Sequence, residues 1–370
     1  MHHDEEGLDL IGVDIDREAA TLGDGTRALR EAVSEVAGAL PVPPSRAYLI
    51  GCGDSLDAGI AARYVWEGLH GFPVEAVPAM TFATSVVDLA PPEALVVALS
   101  QSGKVSRVIE GIRRARSRGL STVTITADAG SPLAAEPSDA SWVIGFDKVG
   151  AVPGTTSHLL GMVALYELGC ALAPKGVGAD RVRADLDGLD DLVRRTIAAS
   201  APLAARHADA MGRDLPVLAL GYGPTLSSAR YTIRKLLELT QLVAIWQETE
   251  EYAHDEYSMV DSGFRMLQFA PPGPGAVRSG EVAGYLHRLG VHLSVVTGEE
   301  DTDRYGEYAN LTYPIAAACP ASLMPLVYSV PGQLLSLATA RTLGGSLYGM
   351  AERIHREDGD PQIYESEIAS

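Results

Sequence analysis

The stretch Ala94-Leu95-Val96-Val97-Ala98-Leu99-Ser100-Gln101-Ser102-Gly103 decides the fold of this chain. Its first six residues form an unbroken apolar run, which is typical of a strand buried on both faces of a parallel sheet. A polar turn that ends in glycine follows, and apolar residues then recur at helical spacing from Val105 to Ile112. The stretch therefore predicts a strand, a tight turn and a helix, which is the repeating unit of an α/β protein.

The same unit recurs along the chain. A strand at 47–50 leads into the turn Gly51-Cys52-Gly53-Asp54-Ser55, and a helical pattern follows. A strand at 215–220, the turn Gly221-Tyr222-Gly223-Pro224-Thr225 and a helix at 226–241 repeat the plan. The two glycine turns lie 170 residues apart in the numbering, and this spacing indicates a duplicated domain.

Apolar patterns between these units predict further elements. We expect strands at 121–127, 141–146, 265–270, 292–297 and 311–315, and helices at 27–40, 156–172, 280–289 and 323–342. The prediction is an α/β fold with two doubly wound, flavodoxin-like parallel-sheet lobes in tandem. We divide the chain into a helical lead-in (1–44), a first lobe (45–175), a helical connector (176–212), a second lobe (213–350) and a tail (351–370).

Composition excludes several function classes. The net charge is −19, with 48 acidic against 29 basic residues, so the chain should repel nucleic acid and anionic membrane surfaces. We found no signal peptide and no apolar run near the roughly 18 residues of a membrane span. The three cysteines, Cys52, Cys170 and Cys319, form no CxxC pair, which argues against disulfides or structural zinc and favours the cytoplasm. We expect no metal and no cofactor.

The glycine turns of the first lobe suggest anion binding. A loop between the carboxyl end of a strand and the start of a helix offers unpaired N–H groups to an anion. Two such loops supply Ser55 from one turn and Ser100, Gln101 and Ser102 from the other. No G-x-G-x-x-G fingerprint supports a dinucleotide. Gly51-x-Gly53 by itself could be a tight turn only, whereas the Ser-Gln-Ser-Gly turn after an apolar strand favours a phosphate.

These two turns, in their strand-to-helix context, resemble the sugar isomerase (SIS) domain. The duplication resembles the tandem pair in the isomerase half of glucosamine-6-phosphate synthase and its relatives, over residues 25–355. The resemblance implies that residues of the turns bind the phosphate of a sugar phosphate: Gly53, Ser55, Ser100, Gln101 and Ser102. It also implies that Thr155 or Thr156 lies near the sugar. The chain departs from the family at Asp54 and Val105, where threonines are usual, and this could weaken or move the phosphate.

The resemblance also implies a catalytic pair in the second lobe. The family has a carboxylate on the helix after the strand turn and a histidine sixteen positions later; Glu238 and His254 have that spacing. Lys235 shares the helix face of Glu238 and would lie at the sugar, and Glu251 would orient His254. The plainer alternatives are a solvated Lys235–Glu238 ion pair and an ordinary loop histidine.

The predicted chemistry is proton transfer on a phosphorylated sugar. Glu238 would move a proton between C1 and C2 of the open chain, and His254 would open the ring. The chain contains no glutaminase domain and no lysine after Lys235, so a synthase reaction is not expected. The open choices are deamination, aldose–ketose isomerisation and deglycation of phosphorylated Amadori products.

Two further predictions concern the partners. The family resemblance implies a homodimer with shared active sites, because the histidine loop of the family crosses to the neighbouring subunit. The alternative to an enzyme is a non-catalytic sugar-phosphate sensor, since SIS lobes also serve as binding modules of regulators. A pure sensor would not need the Glu238 and His254 pair.

Overall fold

The structure is a computed structural model that describes residues 2–41, 43–150, 152–316, 319–349 and 366. The predicted tail, 351–370, therefore lies outside the described residues except for Ser366. The described chain divides into two compact units. The first-sheet unit contains Ala20–Asp147 and Thr156–Asp187, together with Ser366, and the second-sheet unit contains residues 2–19, Lys148–Thr155 and residues 188–349.

The first-sheet unit is built on five parallel strands. They are β1 (Arg46–Gly51), β2 (Val74–Pro78), β3 (Ala94–Leu99), β4 (Ser121–Thr126) and β5 (Ala140–Val143), in the order β2-β1-β3-β4-β5. Every residue of β3 is buried, as its apolar run predicts, because β3 is the central strand and is covered on both faces.

The second-sheet unit repeats this arrangement. Its strands are β6 (Val217–Gly221), β7 (Ala244–Glu248), β8 (Arg265–Phe269), β9 (His292–Gly298) and β10 (Leu311–Ile315), in the order β10-β9-β8-β6-β7 and all parallel. Counted from the first strand of each unit, both sheets have the flavodoxin-like order 2-1-3-4-5. The predicted fold of two doubly wound parallel-sheet lobes is confirmed.

In the described part of the chain, nine longer helices accompany the strands. They are α1 (His2–Gly38), α2 (Asp54–His70), α3 (Ser106–Ser117), α4 (Thr156–Leu172), α5 (Val177–Leu186), α6 (Leu189–Ala208), α7 (Leu226–Thr240), α8 (Ala276–Arg288) and α9 (Met324–Leu343). Single α-helical turns occur at Ala79–Thr81, Pro132–Ala135, Thr249–Tyr252 and Thr302–Tyr305. A π turn occurs at Phe82–Val86, and 3₁₀ turns occur at Val87–Leu89, Gly223–Thr225, Glu256–Ser258, Glu299–Asp301 and Ala321–Leu323.

The structure corrects the expectation that no segment is long and apolar enough for a membrane span. Residues Ala321–Leu343 meet both criteria, with a mean hydropathy of 1.2 in the best window. However, 83% of that window is buried inside the protein, and α9 packs against α6 and α7 of its own unit. Its apolar residues therefore belong to the core of the second-sheet unit.

Candidate active site

Both predicted phosphate loops lie at the same edge of the first sheet. β1 and β3 are neighbours, and Ile50 pairs with Ala98 near their carboxyl ends. In this strand order the crevice between these two strands is the topological switch point, where α/β proteins bind ligands. The turns 51–55 and 100–103 follow β1 and β3 directly. The structure thus brings together the five residues predicted to hold the phosphate.

Glycine is required in each turn for a different reason. Gly53 has a φ of 56°, a left-handed conformation that side chains rarely adopt. Gly103 has a φ of 63°, and a Cβ atom there would lie 2.0 Å from the hydroxyl of Ser131. A larger residue at either position would therefore strain the turn.

The serine turn presents hydroxyls and a helix start. Ser100 is buried, and its Oγ accepts a hydrogen bond from Gly103 N–H at 3.2 Å. Ser102 Oγ accepts one from Lys104 N–H at 3.3 Å. Val105, at the N-cap of α3, provides no side-chain cap, where a threonine could have provided one. The first turn of α3 therefore keeps donors available for an anion.

One residue of the predicted tail contacts this helix start. Ser366 N–H donates to Ser106 Oγ at 3.2 Å, and the two hydroxyl oxygens lie 3.0 Å apart. Arg107 Nη2 also donates to Ser366 Oγ at 3.2 Å. Both partners lie in the first turn of α3. Ser366 is therefore an additional polar residue beside the candidate phosphate loop, and no local sequence pattern predicts this contact.

Gln101 is held by the start of α4. Its Nε2 donates to Ser157 O at 2.6 Å, and Gly161 leaves the space for its amide, since a Cβ there would lie 2.7 Å from Nε2. Gln101 Oε1 is buried and has no hydrogen-bond partner within the described residues. A lone acceptor suits a sugar hydroxyl, which can donate, better than a phosphate oxygen, which cannot.

The predicted sugar loop is anchored within the second-sheet unit at Thr155. Thr155 is buried, and its hydroxyl donates to the carboxylate of Asp14 on α1. Tyr231 on α7 donates its hydroxyl to Gly154 O at 2.9 Å. The next residue, Thr156, is buried in the first turn of α4 in the first-sheet unit. Thr155 thus already has a protein partner, which sequence reasoning missed because Asp14 is far away along the chain.

Lys235 and Glu238 lie on one face of α7, as predicted, and Lys235 is buried. Lys235 Nζ lies 2.5 Å from Glu238 Oε2 and 5.3 Å from the centre of the Tyr231 ring. The side chain of Lys235 is 2% exposed, whereas that of Glu238 is 28% exposed. The ion pair exists, but it is not the solvated surface pair of the plainer alternative, because one member lies in the interior, where an ammonium needs a partner.

His254 lies in a different side-chain cluster. It is 68% exposed, and its Nε2 lies 3.4 Å from Glu250 Oε1. Arg278 donates from Nε and Nη2 to both oxygens of Glu250, at 2.5 and 3.1 Å, and this pairing lowers the pKa of the Glu250 carboxyl. Glu251 contacts His254 through its backbone carbonyl, which accepts the His254 N–H at 2.9 Å.

Glu250, rather than the predicted Glu251, therefore faces the imidazole. The helical turn Thr249–Tyr252 explains the difference, because residues four apart lie on one side of a helix. The spacing of four residues between Glu250 and His254 could have predicted this contact from the sequence. Glu238 is paired with Lys235 and His254 with Glu250, so the two predicted catalytic residues belong to separate side-chain clusters.

Two doubly wound sheets, with a serine turn at the switch point of the first, define a tandem α/β protein. Residues 42–162 match the family model of the SIS domain.

Its relatives include phosphosugar enzymes. The chain is 27% identical over 309 residues to glutamine–fructose-6-phosphate aminotransferase [isomerizing] of Mycobacterium bovis. This alignment covers 81% of this chain and 49% of the relative. The chain thus spans about half the length of the curated relatives it matches.

Two solved structures have the same fold. The C-terminal domain of glucosamine-fructose-6-phosphate aminotransferase from Francisella tularensis aligns with a TM-score of 0.80 and 18% identity, over 90% of this chain and 96% of that one. Tagatose-6-phosphate ketose/aldose isomerase from Escherichia coli aligns with a TM-score of 0.75 and 16% identity, over 98% of this chain and 96% of that one.

Proposed function

We propose that this protein is an enzyme that acts on a phosphorylated amino or ketose sugar through a proton-transfer pair, Glu238 and His254. The observation that carries the proposal is the switch point of the first sheet, where two serine-bearing turns lead into helix starts. Three of the relatives are named as enzymes of phosphorylated sugars, and their names support the same substrate class.

In this proposal the second-sheet unit supplies the chemistry. Glu238 is the base that takes a proton from one carbon and returns it to its neighbour. The buried ammonium of Lys235 would stabilise negative charge as it develops on the sugar oxygen. Isomerisation, deamination and Amadori deglycation all share this proton transfer, so the residues of α7 are compatible with each of them.

We also propose that His254 acts in the site of a second copy of the chain. Its side chain is 68% exposed, and neighbouring residues expose apolar surface of the type enriched at interfaces, at Trp246, Tyr257 and Met259. A homodimer would give this surface a partner. A cytoplasmic location, favoured by three cysteines that form no CxxC pair, stays a prediction.

Proton exchange tests the proposal against the sensor alternative. Fructose 6-phosphate is incubated with the protein in D2O, and loss of the C1 proton signal is followed by NMR. An enzyme exchanges this proton, and the Glu238→Gln variant does not. Binding of the sugar phosphate without exchange in the unmodified protein would favour the sensor. A parallel screen of aminosugar phosphates and Amadori phosphates for product then identifies the reaction.

A further inference from the structure

A cavity lies beside the loop that precedes β1, and all of its lining residues belong to the first-sheet unit. It has a volume of about 850 Å³, which is in the range of small-molecule sites. Its walls come from the second half of α1, the loop before β1, the end of α4 and the helix α5. The prolines among its lining residues are Pro41, Pro43, Pro44 and Pro174. We call this space the proline cavity.

The proline cavity lies at the opposite edge of the first sheet from the candidate phosphate turns. Its loop precedes β1, whereas the turns 51–55 and 100–103 follow the carboxyl ends of β1 and β3. Helix α4 begins beside Gln101, which donates to Ser157 O, and it ends at the cavity with Leu172. The helix between these two points is about 22 Å long, at about 1.5 Å per residue. A ligand of the proline cavity would therefore leave the candidate phosphate turns free.

The charges of the proline cavity favour an anionic ligand. Three basic residues, Arg30, Lys175 and Arg183, line it against one acidic residue, Asp180. This local excess of positive charge contrasts with the net charge of −19 of the whole chain. Each side-chain nitrogen of Arg30 already donates to a protein oxygen, at 2.6–3.0 Å. The charge available to a ligand therefore comes from Arg183 and Lys175.

Arg183 and Lys175 have donors left for an anion. Arg183 donates from Nε to the buried carboxylate of Glu167 at 3.1 Å, and its side chain is 29% exposed. Its Nη1 and Nη2 make no hydrogen bond within the described residues. Lys175 is exposed and forms no ion pair with any residue that the structure describes. A guanidinium held at Nε can offer its other edge to both oxygens of a carboxylate.

The remaining walls of the proline cavity suit an apolar body. Proline has a fixed φ and no N–H group, so the proline walls are rigid and offer no backbone donor. Leu40 and Leu172 add apolar surface. Cys170 is 4% exposed, and burial raises the pKa of its thiol to about 12, so it stays neutral and packs like a small apolar group. Rigid walls also lower the cost of ordering the site when a ligand binds.

We propose that the proline cavity binds an organic carboxylate with an apolar body. The carboxylate lies on Arg183 and Lys175, and the body lies against the prolines and the neutral thiol of Cys170. A sugar phosphate lacks the apolar body and is not a ligand of this cavity. The inference goes beyond the proposed function and does not depend on it, because all the residues that carry it lie away from the candidate phosphate turns.

A matched pair of probes tests the inference by calorimetry on the full chain. Octanoate and octan-1-ol have the same chain length and differ in the charged head. We expect octanoate to bind about tenfold or more tightly than octan-1-ol, since hydrogen bonds between charged groups are the stronger kind. Arg183→Gln should remove this preference, and Lys175→Gln should reduce it. Arg181→Gln, at an exposed arginine of the same helix that does not line the cavity, should keep it.

A second pair of variants tests the place of binding without breaking an ion pair. Arg183→Gln also removes a partner of Glu167, so its fold is checked by circular dichroism. Ala37→Phe on α1 places a ring in the cavity and should abolish octanoate binding. Ala32→Phe, at an exposed position of the same helix outside the lining, should leave it unchanged.

Three results would overturn the inference: no binding of octanoate, equal binding of octanoate and octan-1-ol, or octanoate binding that Ala37→Phe leaves intact. Displacement of octanoate by fructose 6-phosphate would also overturn it, because the probe would then occupy the phosphate site. None of these measurements needs turnover. A failure here therefore leaves the C1 proton exchange, which tests the proposed function, as a separate result.

Discussion

The switch points of the two sheets have the same strand topology, but different side chains lie at them. In the first sheet, the turns after β1 and β3 carry serine hydroxyls and lead into helices without side-chain caps. In the second sheet, the turn after β6 carries Tyr222, whose hydroxyl donates to Pro271 O after β8 at 2.9 Å. The ring of Tyr222 occupies the crevice so closely that a Cβ on Gly275 would lie 2.4 Å from it.

This comparison supports the proposal that the two units of the duplicated fold have different tasks. A crevice filled by a tyrosine ring has no space for a phosphate, so we assign anion binding to the first sheet alone. The second sheet supplies its polar groups from α7 and from the histidine loop. The glycine turn by itself therefore does not identify a phosphate site, because Gly221 and Gly51 occupy equivalent positions.

The largest expected effect is at the second-sheet unit. Glu238→Gln keeps the shape of the side chain and removes the base, so turnover should fall by about two to four orders of magnitude. Sugar-phosphate affinity, measured by calorimetry, should change little, because the residues that we propose to bind the phosphate lie in the first-sheet unit. Near-normal turnover would exclude Glu238 as the base.

The next effect is at the first switch point. Ser102→Ala removes one hydroxyl from the serine turn, and affinity for a sugar phosphate should fall about tenfold to a hundredfold, since a hydrogen bond to a charged group contributes about 1.5–3 kcal/mol. Tyr222→Phe is the matched control at the second switch point. It removes a hydrogen bond of 2.9 Å and should leave the affinity unchanged. If phosphorylated and unphosphorylated sugars bind the unmodified protein equally, the phosphate assignment is wrong.

A smaller effect tests whether His254 acts on a second copy. A Glu238→Gln chain and a His254→Asn chain, each inactive, are mixed and allowed to exchange subunits. Random pairing gives half heterodimers with one intact site of two, so activity should return to about a quarter of the unmodified rate. Proof of exchange by mass spectrometry, together with an inactive mixture, would place both residues in the site of one chain.

The sequence predicts the centre of each sheet better than its edges. β3 and the helix α4 have the predicted bounds, because continuous apolar runs mark buried elements. β10 also has its predicted bounds, although it is an edge strand whose residues alternate between buried and half-buried. β2 and β7 were not predicted. Both are edge strands, and β7 exposes Ile245 and Trp246, so neither shows the burial pattern that a central strand must have.

The spacing of residues along the sequence predicts which side chains share a helix face. It does not predict hydrogen bonds between residues that are far apart in the sequence. The shared face of Lys235 and Glu238 follows from helical periodicity alone. The hydrogen bond from Thr155 to Asp14 joins residues 141 positions apart, and no local pattern could have shown it. The predicted helix at 27–40 is the end of the longer α1, whose first half carries Asp14 and looked like an acidic lead-in.

Two buried carboxyl groups extend the comparison of the units. In the first-sheet unit, Glu167 is fully buried and accepts from Arg30 at 2.8 Å and from Arg183 at 3.1 Å. In the second-sheet unit, Glu18 is also fully buried, but its hydrogen-bond partner is the neutral amide of Gln333 at 3.1 Å. Burial raises the pKa of Glu18 to about 8, with a further contribution from the charge of Asp14.

The smallest effect on function is expected from Glu18→Gln, which should change the pH dependence of stability. Unfolding restores an ordinary pKa near 4.5, so between about pH 4.5 and 8 the folded protein holds a proton that the unfolded chain releases. The free energy of unfolding therefore falls as the pH rises through this window and levels off above it. Glu18→Gln removes the titration, and its melting temperature should exceed that of the unmodified protein at about pH 8 and approach it at about pH 5. Glu167→Gln, which weakens two ion pairs, should lower the melting temperature at both values. Parallel pH curves for Glu18→Gln and the unmodified protein would show that Glu18 is already ionised in the folded state.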